Sequence, residues 1–151
     1  MGIIKKQITL NDIDILRGPL DKLHEHHNSQ SKYFSGDYPR ITFEERIEEY
    51  KKISRGGEFR IELLIESRGL SIIGFCISYR KNKNGKIDVL FIDEKYQRNG
   101  LGIKLMNSAI EWFKKMNINE IELLVVYGNE VDSFYQKFGF NPRSIIMTAK
   151  L

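Results

Sequence analysis

The stretch QRNGLG, residues 97–102, joins an apolar run to a long amphipathic run. The run before it, VLFID, is typical of a buried strand, and LGIKLMNSAIEWFKKM after it places apolar residues at helical spacing. A tight turn needs at most one glycine, whereas this turn has two glycines, an arginine and two amides. The pattern therefore predicts a strand packed beside a helix, with a bare turn between them that a ligand can approach closely.

The rest of the chain alternates between strand-like and helix-like patterns. Asn11 or Asp12 is expected to cap a first helix, Thr42 and Glu45 form a capping box, and turns are expected at Arg68-Gly69 and Asn84-Gly85. We predict helices over residues 12–28, 42–54, 101–116 and 130–138, and strands over residues 3–9, 59–67, 70–79, 86–93, 121–126 and 143–151. This order, β-α-α-β-β-β-α-β-α-β, describes one α/β domain over residues 1–151, with a mixed sheet flanked by helices.

Composition excludes several classes of protein. The 151 residues are 41% hydrophobic and 29% charged, and no apolar run approaches the roughly 20 residues that span a bilayer. The first ten residues lack the apolar segment of a signal peptide, so a cytoplasmic protein is expected. The formal charge of +4 is dispersed, which disfavours a nucleic-acid partner. The single cysteine, Cys76, lies in an apolar strand-like run and can form neither an internal disulfide nor a Cys-based zinc site.

Two motifs carry a resemblance to a known family. LFIDEKYQRNGLGIKLM is similar to the apolar strand and pyrophosphate-binding loop, Q/R-x-x-G-x-G/A, of the GNAT superfamily of acetyl-CoA-dependent N-acetyltransferases. About 30 residues later, FYQKFGF resembles that family's F-Y-x-x-x-G-F element. The predicted order of elements also resembles the family's mostly antiparallel sheet, although the first half of the chain matches in pattern only.

The resemblance implies a set of residues for acetyl-CoA. Main-chain N–H groups near the start of the third helix would bind the pyrophosphate, because a helix N-terminus carries unpaired donors and partial positive charge. The end of the preceding strand would pair with the pantetheine amides. The implied cofactor-binding residues are Leu90, Phe91, Ile92, Gln97, Arg98, Asn99, Gly100, Leu101, Gly102, Ile103, Lys104 and Phe134. The family's pantetheine-binding asparagine has no counterpart at the right spacing, because Gly128 stands at that position.

Two residues are the catalytic candidates. Tyr135 matches the family tyrosine that donates a hydrogen bond or a proton to the departing thiol; an aromatic packing role is the alternative. Asp88 is the acid within the strand before QRNGLG, expected on the face shared with Leu90 and Ile92. It could act through water on the attacking amine, with Glu122 as the equivalent acid on the next strand. Lone Cys76 without a neighbouring base implies direct transfer in a ternary complex, with no acetyl-enzyme.

The acceptor would be a primary amine, of a small molecule or of a peptide. By the resemblance it meets the first two helices and their loop, which hold His24, Glu25, His26, His27, Tyr33, Phe34, Asp37 and Tyr38. The run HEHH also suggests a metal, but no further ligand is evident and a solvated helix end is favoured, so no metal is expected. The alternative function is a module that binds acyl-CoA without turnover. A homodimer is compatible with either reading.

Overall fold

The computed structural model describes residues 2–128 and 132–151. Its strands form one sheet in the order β1-β2-β3-β4-β5. All neighbouring strands are antiparallel except β4 and β5, which run parallel. The predicted fold class, a mixed and mostly antiparallel sheet flanked by helices, is therefore confirmed. The strands are β1 Ile3–Ile8, β2 Gly57–Glu66, β3 Ile72–Lys81, β4 Asn84–Ile92 and β5 Glu120–Leu123.

Helices lie on both faces of the sheet. The α-helices of the described part are α1 Arg17–Gln30, α2 Phe43–Ser54, α3 Leu101–Lys115 and α4 Asp132–Gln136, with 3-10 helices at Leu10–Leu16 and Glu94–Tyr96. One apolar core lies between α1, α2 and the sheet, and a second lies between α3 and the opposite face. We call them the α1/α2 core and the α3 core. The buried ring of Phe75 belongs to the first and that of Phe113 to the second.

The helix starts are only partly as predicted. The capping box at α2 is confirmed, with both the Thr42 and the Glu45 side chains bonded to the opposite main-chain N–H. The first helix is different, because Thr9 rather than Asn11 or Asp12 supplies the cap and a 3-10 helix precedes α1. The predicted start of the last helix at residues 130–131 lies outside the described residues.

The second hairpin turn lies two residues earlier than predicted. β3 ends at Lys81 and β4 begins at Asn84, so the turn is made by residues 82–83, and Asn82 takes the left-handed conformation with φ 57°. Gly85 is a strand residue. A side chain there would force its neighbours to move, because an added Cβ would lie 2.7 Å from Cε1 of the Phe113 ring. The glycine therefore serves packing of α3 against β4 rather than turn formation.

The predicted last strand is wrong. Residues 141–151 form no strand in this structure, and β5 pairs on one side only, with β4. The parallel pairing of β4 with β5 covers residues 84–87 opposite residues 120–123 and ends there. From residue 88 onward, β4 has a paired neighbour only in β3. The two strands thus open a gap directly before the QRNGLG turn.

Candidate acetyl-CoA and acceptor site

The QRNGLG turn has an unusual backbone. Arg98 has φ 67° and Gly100 has φ 74°, so two of three consecutive residues are left-handed. This conformation is uncommon for a residue other than glycine, asparagine or aspartate, and such strain is concentrated at functional sites. The side-chain amides of Gln97 and Asn99 bond to main-chain carbonyls of Ile92 and Tyr96, at 3.0 and 3.2 Å. The turn is therefore held from within. The main-chain N–H of Gln97 donates to the Glu94 carbonyl at 3.3 Å, and those of residues 98–102 have no acceptor among the described residues.

The start of α3 lacks a side-chain cap. Gly100 occupies the cap position and provides no side-chain acceptor, and Lys104 donates the first intrahelical bond, to the Gly100 carbonyl at 3.2 Å. Among the described residues, none accepts a hydrogen bond from the main-chain N–H groups of residues 98–103. Free donors and the helix dipole together favour an anion at this point. A Cβ added at Gly100 would meet no atom within 4 Å, so the space in front of the turn is open.

Gly102 connects the two sequence motifs. A Cβ placed there would lie 3.3 Å from Cζ of Phe134 and 4.0 Å from Cγ1 of Ile92. The first turn of α3, the end of β4 and the start of α4 thus meet at one glycine. Leu90 and Ile92 point to the same side of the sheet and pack against the α3 core, whereas Phe91 faces the α1/α2 core. The structure thus brings together three of the predicted cofactor residues, Ile92, Gly102 and Phe134.

Tyr135 lies within an aromatic cluster beside this gap. Its ring packs edge-on against Phe134 and Phe140, with centroid distances of 5.2 and 6.2 Å. Burial, and to a lesser degree the Cys76 thiol, raises the pKa of Tyr135 to about 12. No described residue is hydrogen-bonded to its hydroxyl, so that group is a protonated donor without a partner in the described part.

Asp88 faces the side of the sheet opposite to the predicted one. The register of β4 against β3 shifts between residues 87 and 89, so Asp88 is the extra residue of a β-bulge and the alternation of faces is interrupted. Its Oδ2 accepts a hydrogen bond from Nη1 of Arg46 at 2.9 Å and one from the Tyr50 hydroxyl. Both donors lie on α2. The expectation that Asp88 shares a face with Leu90 and Ile92 is therefore wrong.

The cluster around Asp88 is polar and only partly open to solvent. The side chains of Arg46 and Asp88 are each 19% exposed, and Nζ of Lys86 lies 3.9 Å from the second carboxylate oxygen. Burial and the Asp88 charge raise the pKa of Tyr50, so its hydroxyl stays a donor. Arg46 and Tyr50 were missed in the sequence, although their spacing of four places them on one helix face.

The loop between α1 and α2 lies beside the segment that follows β5. The main-chain N–H of Lys32 donates to the Tyr127 carbonyl at 2.9 Å, which ties this loop to the segment after β5. The exposed rings of Tyr33 and Tyr127 stack with centroids 6.0 Å apart, and Nζ of Lys32 lies over both. Asp37 is bonded to Lys150, and Glu122 to Arg143. Asp37 of the loop and Glu122 of β5 thus each have a cationic partner.

The HEHH run belongs to no cluster of metal-ligating side chains in the described part of the chain. Within the described residues, no group of three His, Cys, Asp or Glu side chains could hold a metal ion. Burial first, and then the nearby charges of His26, Arg46 and His24, lower the pKa of His27 to about 4. His27 instead packs on Tyr38, with ring centroids 5.8 Å apart.

As for membranes, the described helices include none with the length and apolar character to cross a bilayer.

Comparisons with known proteins agree with this geometry. Residues 22–140 match the model of the acetyltransferase (GNAT) family, whose members use acetyl-CoA. A spermine/spermidine N(1)-acetyltransferase of Bacillus subtilis is 34% identical over 77 residues, which are 48% of this chain and 51% of the relative. The matched part thus spans about half the length of that curated relative.

Solved structures show the same fold at low sequence identity. A four-fold mutant of a Bacillus halodurans protein superposes with a TM-score of 0.71 at 20% identity, covering 98% of this chain and 99% of the other. The PaiA N-acetyltransferase of Thermoplasma acidophilum, solved in complex with coenzyme A, superposes with a TM-score of 0.67 at 18% identity, covering 97% and 94%. Because the family model matches more than half of this chain, the chain belongs to the acetyltransferase (GNAT) family.

Proposed function

We propose that this protein is an N-acetyltransferase that moves an acetyl group from acetyl-CoA to a primary amine. The observation that carries the proposal is the start of α3, which has no side-chain cap and follows a left-handed turn. It lies beside β4, which pairs with β5 over only part of its length. Acetyl-CoA supplies the acyl group as a thioester. Main-chain N–H groups of residues 98–103 would hold its pyrophosphate, with the charges of Arg98 and Lys104 nearby, and residues 90–92 would pair with its pantetheine amides.

Tyr135 is proposed to stabilise the departing thiol. A thiol has a reference pKa of about 8.5, so full proton transfer from a hydroxyl of pKa about 12 is uphill by roughly 5 kcal/mol. A hydrogen bond to the sulfur as negative charge develops there avoids this cost. Tyr135 therefore acts as a donor to the leaving group rather than as a full acid.

The acceptor amine must lose a proton before it attacks. For a lysine-like amine of pKa about 10.4, deprotonation at pH 7 costs roughly 4.6 kcal/mol. Asp88 is proposed to assist through water or by holding the cationic form. Its contacts with Arg46 and Tyr50 favour this indirect role, since both donors already use one of its oxygens.

Transfer is proposed to be direct, within a ternary complex. Cys76 is 2% exposed, and burial raises the pKa of its thiol to about 11, so the thiolate is scarce at neutral pH. Its neighbour at 3.5 Å is the Ser78 hydroxyl, which is not a base. A buried thiol that stays protonated is a poor nucleophile, which favours transfer without a covalent acetyl carrier.

The test of the function is an amine panel with acetyl-CoA, in which free CoA release is followed. The panel includes polyamines, prompted by the Bacillus subtilis relative, together with aminoglycosides and peptide N-termini. We expect amine-dependent release with at least one member. Binding of acetyl-CoA without turnover on any amine would overturn the transferase and support the module that only binds acyl-CoA.

The cofactor site is tested by Gly102→Val. The added side chain crowds the Phe134 ring and the first free N–H groups of α3, so we expect calorimetric affinity for CoA to fall at least tenfold. Gly56→Ala is the matched control, because a Cβ at Gly56 meets no atom within 4 Å. Equal affinities in two folded variants would remove QRNGLG from the site.

A further inference from the structure

A polar cleft lies between α3 and the β1–β2 side of the sheet. Its volume is about 410 Å³, which is within the range of small-molecule sites. The side chains that line it include amides, an indole and charges of both signs: Gln7, Arg60, Asn107, Glu111, Trp112 and Lys115. Trp112 lies about 18 Å along the helix axis from Gly100, so the cleft is separate from the QRNGLG turn.

The cleft exists because α3 leaves the β1 edge of the sheet uncovered. The helix packs chiefly on β3 and β4. In the strand register Gln7 lies opposite Glu62, and Glu62 lies opposite Cys76. Directly opposed residues of antiparallel strands share a face, and Cys76 belongs to the α3 core. Gln7 and Glu62, and Arg60 two positions before Glu62, therefore face α3.

A buried ion pair lies at the sheet side of the cleft. Nη2 of Arg60 donates to Oε2 of Glu62 at 2.9 Å, and the two side chains are only 14% and 6% exposed. Within the described chain, Oε1 of Glu62 is buried without a donor, and the other guanidinium N–H groups of Arg60 have no acceptor. A buried pair with so few hydrogen bonds stabilises a fold poorly, and its unused groups indicate a further polar partner.

The charges at the cleft balance each other. Arg60 and Lys115 are cationic, and Glu62 and Glu111 are anionic. A ligand with a charge of one sign would be attracted by two of these groups and repelled by the other two. A ligand that carries both an anionic and a cationic group can form charge-assisted hydrogen bonds with both kinds of side chain. Charge complementarity therefore favours a zwitterion.

We propose that this cleft binds a free α-amino acid. Arg60, held in place by Glu62, binds the carboxylate through the N–H groups that Glu62 does not use. Glu111 binds the ammonium group, and the partly exposed indole of Trp112 contacts the side chain of the ligand. The site is distinct from that proposed for acetyl transfer, so the proposal holds whether or not the protein is a transferase.

Binding is tested with the standard L-amino acids in the absence of acetyl-CoA. Calorimetry measures affinity, and the fluorescence of Trp112, the only tryptophan, reports occupation of the cleft. We expect saturable, submillimolar binding of at least one amino acid, with a change in Trp112 emission. Glucose and N-acetylglucosamine are titrated in parallel as neutral polar ligands. Absence of saturable amino-acid binding, or binding of a saccharide instead, overturns the proposal.

The ammonium subsite is tested by a ligand analogue and a variant together. The N-acetyl form of the best-binding amino acid lacks the ammonium group and should bind at least about tenfold more weakly. Glu111→Gln should weaken binding of the amino acid to a similar degree and change binding of its N-acetyl form little. Glu48→Gln is the matched control, because Glu48 is an exposed acid of α2 outside the cleft. Equal affinities of the parent and Glu111→Gln for the amino acid would contradict the assignment.

The carboxylate subsite is tested by Arg60→Gln combined with Glu62→Gln. The double variant removes the guanidinium without leaving a buried charge unpaired, and circular dichroism checks its fold. It should lose amino-acid binding, and the parent should bind the amide of the same amino acid at least about tenfold more weakly. If the double variant does not fold, the exposed Glu111→Gln decides alone. An amino acid bound near Asp88 as an acetyl acceptor would respond to neither variant, and that outcome overturns the proposal.

Discussion

The Tyr135 hydroxyl leads to a prediction about both rate and pH. Because burial raises its pKa to about 12, the hydroxyl stays protonated throughout the range from pH 6 to 10 and contributes no basic limb there. Tyr135→Phe should lower kcat by about 10- to 100-fold, which is at or below the low end of the acceleration that general acids provide. The affinity for CoA should change little. Steady-state kinetics and calorimetry measure the two effects. An unchanged kcat, where chemistry limits the rate, would return Tyr135 to a packing role.

Asp88 leads to a second prediction, which separates charge from structure. Asp88→Asn removes the partner of Arg46, so KM for the amine should rise and kcat/KM should fall mainly below the amine's own pKa. The measurement is a pH–rate profile with a saturating acetyl donor. Tyr50→Phe is the control, because it removes one donor to Asp88 and keeps the carboxylate and Arg46. Superimposable profiles for Asp88→Asn and the parent would exclude Asp88 and make Glu122 the next residue to test.

At the junction of β4 and α3, a third prediction concerns packing. Gly85→Ala forces a methyl group within 2.7 Å of Cε1 in Phe113 and 3.0 Å of Ile118, so helix and strand must move apart. We expect a loss of about 1–3 kcal/mol in the free energy of unfolding, the usual cost of overpacking. Urea denaturation measures it, with Gly56→Ala as the unstrained control. Equal stability of the two variants would show that α3 shifts at little cost.

The same junction shows what the sequence can predict. Local signals succeeded where neighbours in sequence decide the structure: the capping box at Thr42 and the helix after QRNGLG. Predictions failed where pairing with a distant strand decides. The bulge at Asp88 depends on the register against β3, which alternation within one strand cannot reveal.

The predictions of a turn at Gly85 and of a strand over residues 143–151 were wrong for related reasons. Asn-Gly is a strong turn signal, but the glycine here is needed because a distant ring occupies the space of its side chain. The pattern of RSIIMTAKL is typical of a strand, yet a strand also needs a partner edge and cover on its faces. Those are properties of the assembled molecule and are not encoded in the segment itself.

The two cores share the sheet that separates them. β2, β3 and β4 each send side chains to both faces; Phe75 enters the α1/α2 core and its neighbour Cys76 the α3 core. A strand cannot lose its packing on one face and keep its position for the other. We therefore propose that the chain is a single domain and unfolds as one cooperative unit, although its cores do not touch directly across the sheet.

Leu16 and Leu105 allow that cooperativity to be measured. Both are fully buried, Leu16 in the α1/α2 core and Leu105 in the α3 core, so truncation of either to alanine should cost about 2–5 kcal/mol. Trp112, the only tryptophan, packs on the α3 core and reports that side alone by fluorescence.

If the sheet couples the cores, Leu16→Ala lowers the unfolding midpoint measured by Trp112 fluorescence. The decrease should equal that in the midpoint measured by far-ultraviolet circular dichroism. Leu105→Ala is the matched control on the side of the probe, and all proteins are compared at one protomer concentration, since association adds to apparent stability. A Trp112 transition that stays in place in Leu16→Ala, while circular dichroism shifts, would mean that the α3 side unfolds independently and that the chain is two units.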